Sequence, residues 1–314
     1  MWKSELKKST VDLESSEIKE KNTFSKRLSY TLGMATKPGF TESFFECPDG
    51  GSLYFRSYGN PKNQPVLCMH GLTRNANDFH QLAQFLQQSF YVISVDQRGR
   101  ARSSYLEDPM AYSPETYLSD MTNLIAHLGF KKVFLIGTSM GGFMAMTMAA
   151  FDPNLFPKIV LNDCGPEIGS TGVNNIASYL GKGEIFKSKA DAFTTIQKRH
   201  MPAFPNFSNE EWNDHIFANM KENKDGSWQF DYDQNIKVFF DTASPSATNL
   251  WPIWEAITSK VLLFKGELST LLSKETLKRM HEIKNFKSHE ISGIGHTPTL
   301  NTQFEQESIL KFLL

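Results

Sequence analysis

Cysteine is scarce in this chain, and so are long apolar runs and any excess of one charge. Only three cysteines, Cys47, Cys68 and Cys164, occur in 314 residues. An odd, widely spaced set without metal-ligand spacing excludes a disulfide framework and argues against a metal centre. Cys68 lies in the apolar run "PVLCMHG" and Cys164 follows a strand-like run, so both read as small core residues. A reducing, cytoplasmic compartment fits that usage. No stretch approaches the roughly 18 apolar residues that a membrane span needs. With 33 Lys and Arg against 34 Asp and Glu, the formal net charge is -1, which gives neither nucleic acid nor an anionic membrane a reason to bind. The nucleotide signatures G-x-G-x-x-G and G-x-x-x-x-G-K-[ST] are absent as well. A small-molecule partner and no cofactor are what these absences leave.

A 40% hydrophobic content can build one large core with room for an insertion. Residues 1–38 stand apart: they are rich in Lys, Glu and Ser, with few residues able to enter a core, and read as a flexible polar tail. Glu5, Asp12, Glu14, Glu17 and Glu20 argue against a transit peptide, and Met34 is an alternative start. From Phe40, "FTESFFECPDGGSLYFRSYG" reads as a hairpin turning at "DGG". Short apolar runs follow in "PVLCMHG", "YVISVDQRG", "KVFLIG", "KIVLND" and "VLLFKG", separated by helix candidates such as "NDFHQLAQFLQQ" and "PETYLSDMTNLIAHLG". Runs of this kind are strands buried on both faces, and their alternation with helices predicts an α/β fold with a mostly parallel sheet. That core takes residues 39–164 and 258–314. The interval 165–257 breaks the alternation and is too long for a loop, so it reads as a helical cap inserted over the strand ends. Its aromatics, among them Tyr179, Phe186, Phe204, Trp212 and Trp228, are expected to pack within the cap, with one or two facing a substrate.

Within "VFLIGTSMGGFMAMTMAA", Gly137, Ser139 and Gly141 fit G-x-S-x-G between a strand and a helix. The glycines let the chain turn sharply and leave the serine hydroxyl exposed at the strand tip, which is the geometry of a nucleophile elbow. His296, in the glycine-rich loop "SGIGHTPTL" after the last strand "KSHEIS", is placed to take the serine proton and return it to a leaving group. His70, in "MHGLTRN", reads as structural; the useful groups there are backbone amides, that of Leu72 together with that of Met140 forming an oxyanion hole.

The segments "HGLTRN", "DQRGRARS", "GTSMGG", "NDCGPEI" and "GIGHTPTL" stand in the order and spacing of the α/β-hydrolase family, and from about Gly39 onward the chain resembles its serine hydrolases with a helical cap. That group contains esterases, lactonases and carbon-carbon bond hydrolases. The resemblance implies that Asp96, Arg98 and Ser103 hold a turn in which Ala101 replaces a usual glycine. A serine at the elbow sets the chain apart from relatives that use aspartate there. The family's usual acid position, after the strand "VLLFKG", is here Thr270. Asp163, at the end of "KIVLND", is the preferred substitute, as in hydrolases of this fold whose acid comes from the earlier strand; Glu267 is a second candidate, and a weak dyad a third possibility. The expectation is therefore an ester hydrolase acting on an apolar ester-like substrate, with cleavage of a β-diketone-like carbon-carbon bond or an inactive, ligand-binding homologue as alternatives.

Overall fold

The hairpin forms as β1 (Thr41–Glu46) and β2 (Ser52–Tyr58), antiparallel, with Phe44 opposite Tyr54. The computed structural model describes residues 39–243 and 249–314, so the expectations for the tail over residues 1–38 and for Met34 lie outside it. Next come β3 (Pro65–Met69), β4 (Tyr91–Val95), β5 (Phe134–Thr138) and β6 (Lys158–Asn162). The inserted interval contributes β7 (Ile185–Phe186), β8 (Met220–Glu222) and β9 (Trp228–Phe230), and the chain closes with β10 (Lys260–Gly266) and β11 (Lys287–Ile291).

Eight of these strands form one sheet in the order β1-β2-β4-β3-β5-β6-β10-β11. The hairpin joins it antiparallel through β2 and β4; every pairing from β4 to β11 is parallel. Successive residues of a strand feed opposite faces. Leu67 and Leu135 enter a core shared with the helices Pro114–His127 and Met140–Phe151. Val66, Cys68, Phe134 and Ile136 enter a second core under the helices His80–Leu86 and Gln303–Leu313. Helices on both faces explain why β5 is buried throughout and reads as an unbroken apolar run. All three cysteines are free and buried in these cores.

The interval 165–257 is mixed rather than purely helical. Beside helices such as Ser170–Tyr179, Lys189–His200 and Asn209–Phe217 it holds a three-stranded antiparallel sheet, β7-β9-β8. Strands of two or three residues are too short for alternation to show in sequence. Phe186, Ile196, Phe204, Trp212 and Ile216 give this segment its own apolar cluster. The helix Trp251–Ala256 instead packs Trp251 and Trp254 into the main core. Polar contacts tie the segment to the connections after β3 and β4: the Ala101 N–H donates to Asp231 O (2.9 Å), and the side chains of Asn75 and Asn77 donate to Ala218 O (3.0 and 2.7 Å).

Candidate active site

Ser139 stands between β5 and the helix Met140–Phe151, with φ +51° and ψ -114°. A non-glycine residue at positive φ is strained and persists only where its surroundings hold it. Here the Ser139 N–H donates to Asn162 O (2.9 Å), and Ser139 O accepts from Gly142 N (2.8 Å) and Phe143 N (3.1 Å). Glycine flanks it for lack of space: a Cβ on Gly141 would lie 2.0 Å from Met69 O, and one on Gly137 2.2 Å from Gly141 O. The elbow can therefore close only with glycine at both positions.

Three side chains read from distant segments meet at this elbow. His296 Nε2 lies 3.0 Å from Ser139 Oγ, and His296 Nδ1 lies 2.6 Å from Asp163 Oδ2. Asp163 follows β6 directly, at φ +54°, with its N–H donating to Phe264 O of β10 (2.7 Å). It is fully buried, and its other oxygen accepts from Gly266 N (3.2 Å). A carboxylate accepts only, so Nδ1 carries the imidazole proton and Nε2 turns its lone pair to the hydroxyl. Asn162 locks the arrangement: its side-chain amide donates to Thr138 Oγ1 (3.1 Å) and to Pro298 O (2.8 Å), joining the elbow to the His296 loop.

Glu267 and Thr270 do not join this group. The Glu267 carboxylate accepts from Ser292 Oγ (2.7 Å) and Gly293 N (2.8 Å), and these bonds hold it below the usual carboxylate range. Thr270 Oγ1 accepts from Asn175 (3.2 Å) and lines the cavity.

Leu72 lies in the loop after β3, and Met140 is the first residue of its helix, where N–H groups have no intrahelical acceptor. One buried guanidinium supports both residues: Arg100 Nε donates to Leu72 O (2.9 Å), and its Nη2 lies 3.7 Å from Met140 Sδ. His70 is sealed in the core. Its Nε2 accepts from Gln97 N (3.0 Å), so Nδ1 carries the proton and donates to Gly71 O (2.7 Å). Burial, and then the Arg100 charge, push its pKa down to about 3, so it stays neutral. Asp96 accepts from Ala76 N (2.7 Å) and Arg102 N (3.2 Å), Arg98 pairs with Asp49 and Asp120, and Ser103 bonds Asp96 O and Tyr54 N. This is a turn-holding cluster, and Ala101 within it adopts φ +42° where glycine would be unstrained.

A cavity of about 1680 Å³ opens over the elbow, lined by Leu72, Ser139 and His296 from the core and by Tyr179, Phe204 and His215 from the inserted segment. Of the aromatics expected to pack inside the insertion, Phe186, Trp212 and Trp228 do so without lining this cavity. Among the described residues no cluster of three or more metal-ligating side chains occurs, and no helix is long and apolar enough to cross a membrane. Sequence reasoning missed Asn162, Arg100 and the histidines at 200 and 215. The only signal for Asn162 was a polar residue ending an apolar strand; Arg100 sat inside a motif already noticed.

Comparison with known proteins finds relatives of the same fold. A family described as alpha/beta hydrolase fold matches residues 64–301. A 3-hydroxybutyrate-oligomer hydrolase of Cupriavidus necator is 35% identical over 275 residues, covering 82% of this chain and 92% of its own. An esterase of Mycobacterium tuberculosis is 24% identical over 236 residues, covering 74% of this chain and 76% of its own. Among solved structures, an alpha/beta hydrolase from Novosphingobium aromaticivorans superposes with a TM-score of 0.83 at 34% identity, covering 90% of this chain and 99% of that one.

Proposed function

The chain is a hydrolase of the alpha/beta-hydrolase family, and on that premise we propose that it cleaves carboxylic esters through Ser139. The observation that carries this reading is the unbroken line of hydrogen bonds from Ser139 Oγ through both nitrogens of His296 to Asp163. Ser139 attacks the ester carbonyl while His296 Nε2 takes its proton; the same imidazolium then protonates the departing alcohol. Asp163 keeps the imidazole in the attacking tautomer and stabilises its cation. The amides of Leu72 and Met140 receive the negative charge on the carbonyl oxygen. Water, activated by His296, releases the acyl group. No metal or cofactor enters this scheme, because the histidine supplies the proton transfers.

The relative named for 3-hydroxybutyrate oligomers supports an ester of a short hydroxy acid as substrate, a small molecule. Esters are preferred over carbon-carbon bonds because two relatives that cover 82% and 74% of this chain are named an oligomer hydrolase and an esterase. Activity is preferred over the inactive, ligand-binding alternative because Asp163 meets His296 Nδ1 where an acid after β10 is missing. The inserted segment acts as a cap, since its residues form one wall of the cavity. A cytoplasmic location belongs to the same reading, supported by three free, buried cysteines.

A fluorophosphonate probe followed by mass spectrometry is expected to find Ser139 modified, and Ser139→Ala unlabelled; equal labelling of both proteins would refute the nucleophile. Glu267→Gln is expected to leave turnover of p-nitrophenyl butyrate within about twofold, against the roughly 10⁴-fold loss that follows disabling a triad acid. A loss of that larger size in steady-state kinetics would return the acid role to Glu267.

A further inference from the structure

The segment "DQRGRARS" carries three arginines, and two of them have carboxylate partners: Arg98 pairs with Asp49 (2.6 Å) and Asp120 (2.9 Å), and Arg102 with Glu42 (2.9 Å). Arg100, between them, has no carboxylate partner among the described residues, although it is 0% exposed. All its acceptors are neutral. Nε donates to Leu72 O (2.9 Å), Nη1 to Arg98 O (2.6 Å) and to the Tyr117 hydroxyl, and Nη2 has only the Met140 thioether, at 3.7 Å. The acids around the turn are taken by other donors: Asp96 by Ala76 N and Arg102 N, Asp120 by Arg98, and Asp233 by Tyr112.

Arginine keeps its charge when buried, and a buried charge without a counter-ion is costly. Holding a loop needs donors, but it does not need charge. The position of this cation gives the charge a use. A Cβ on Gly71 would lie 3.6 Å from Ser139 Cβ, so Leu72 follows directly beside the nucleophile, and Met140 is the residue after it. Arg100 touches both residues without lining the cavity itself. Its field is already felt nearby: after burial, the Arg100 charge is the largest influence lowering the pKa of His70, two residues before Leu72.

We propose that Arg100 is a positioning residue for ester cleavage, whose guanidinium fixes Leu72 and Met140 and sets a buried positive charge behind them that stabilises the oxyanion of the tetrahedral intermediate. This rests on the serine-esterase reading above. When Ser139 Oγ bonds to the ester carbon, the carbonyl π pair moves to oxygen and the serine proton to His296 Nε2. A full negative charge then forms where the bound ester had none. The amides of Leu72 and Met140 meet that oxygen directly, and Arg100, outside the cavity, acts through its field. A neutral ester gains little from the cation, so the effect belongs to the transition state and falls on kcat rather than KM. Away from water that field is weakly screened. The cavity arginine, Arg74, is no substitute, because Asp78 at 2.7 Å meets its charge.

The test measures, on the full chain, kcat and KM for p-nitrophenyl butyrate and the inhibition constant of propyl trifluoromethyl ketone, whose hemiketal with a serine carries the same oxyanion. Arg100→Gln keeps a donor for Leu72 O and removes the charge, whereas Arg100→Lys keeps the charge and gives up the fork of donors. In the glutamine variant kcat should fall by about tenfold to 100-fold, less than the roughly 10²- to 10³-fold loss of a direct oxyanion donor. KM should stay within about twofold, and the ketone should bind more weakly by the same factor as kcat falls. Arg100→Lys should keep kcat within about threefold of wild type. Circular dichroism and melting temperature check the fold, and Arg100→Met supplies a second uncharged side chain should glutamine not be tolerated. A folded, uncharged variant that keeps kcat and ketone affinity within about threefold of wild type, whatever its melting temperature, overturns the role of the charge and leaves the esterase reading intact. So does a lysine variant as impaired as the uncharged one. Absence of Ser139-dependent turnover in wild type overturns the esterase reading, and the role of Arg100 with it.

Discussion

Ser139→Ala is expected to lower kcat for p-nitrophenyl butyrate by about 10⁴ to 10⁶, the range set by removing the nucleophile from a triad that works as a unit. The substitution deletes one oxygen and disturbs little else. The turn is held by backbone bonds from Ser139 N to Asn162 O and from Gly142 N to Ser139 O, and by the close approach of Gly137 and Gly141, none of which involves the hydroxyl. Alanine bears the same Cβ as serine, so the positive φ is no more strained. Melting temperature should therefore hold while turnover collapses, and the pre-steady-state burst of nitrophenol should vanish with it. The amides of Leu72 and Met140 remain, so a residual rate above the uncatalysed reaction is expected from the proposed oxyanion site alone. Retention of more than about a hundredth of wild-type kcat in the alanine variant would mean that another group attacks the ester.

The candidate residues Ser139 and His296 were legible because each sits in a distinctive local pattern: a serine among glycines at a strand tip, and a histidine in a glycine-rich loop after a strand. The parallel strands were legible for a related reason, since double burial leaves an apolar run with polar ends. What stayed hidden depends on contacts between segments far apart in the chain. The sheet of β7, β8 and β9 rests on strands of two or three residues, below the length at which alternation separates from chance. Asn162 joins the elbow to a carbonyl 136 residues further on, and Arg100 reaches back 28 residues to Leu72; neither partner can be guessed from the neighbours of either residue. Glu267 shows the converse. It lies one residue past β10, close to the usual acid position, yet its N–H donates to Ile291 O (2.9 Å) and its carboxylate is taken up by the β11 turn.

Asp163→Asn should lower kcat by about 10² to 10⁴ with the fold intact, and the reason lies in the direction of one hydrogen bond. Asparagine keeps an oxygen able to accept from Gly266 N, so the amide is expected to orient that way and set its NH₂ against His296 Nδ1. A donor there requires Nδ1 to be bare. The proton then moves to Nε2, which donates to Ser139 Oγ and can no longer take its hydrogen. The amide also lacks the charge that stabilises imidazolium, so both tautomer and electrostatics turn against attack. Circular dichroism and melting temperature guard against reading unfolding as lost chemistry, and kcat should fall with little change in KM, because Asp163 is fully buried and does not line the cavity. Thr270→Asp, which restores a carboxylate at the family's usual position, is expected to change wild-type kcat by less than about twofold, since Nδ1 already has its partner. Placed in the Asp163→Asn background, the same change measures whether the position after β10 can still reach the imidazole. A near-silent Asp163→Asn together with a gain from Thr270→Asp alone would show that Asp163 is a turn residue and that the wild-type enzyme works without an acid.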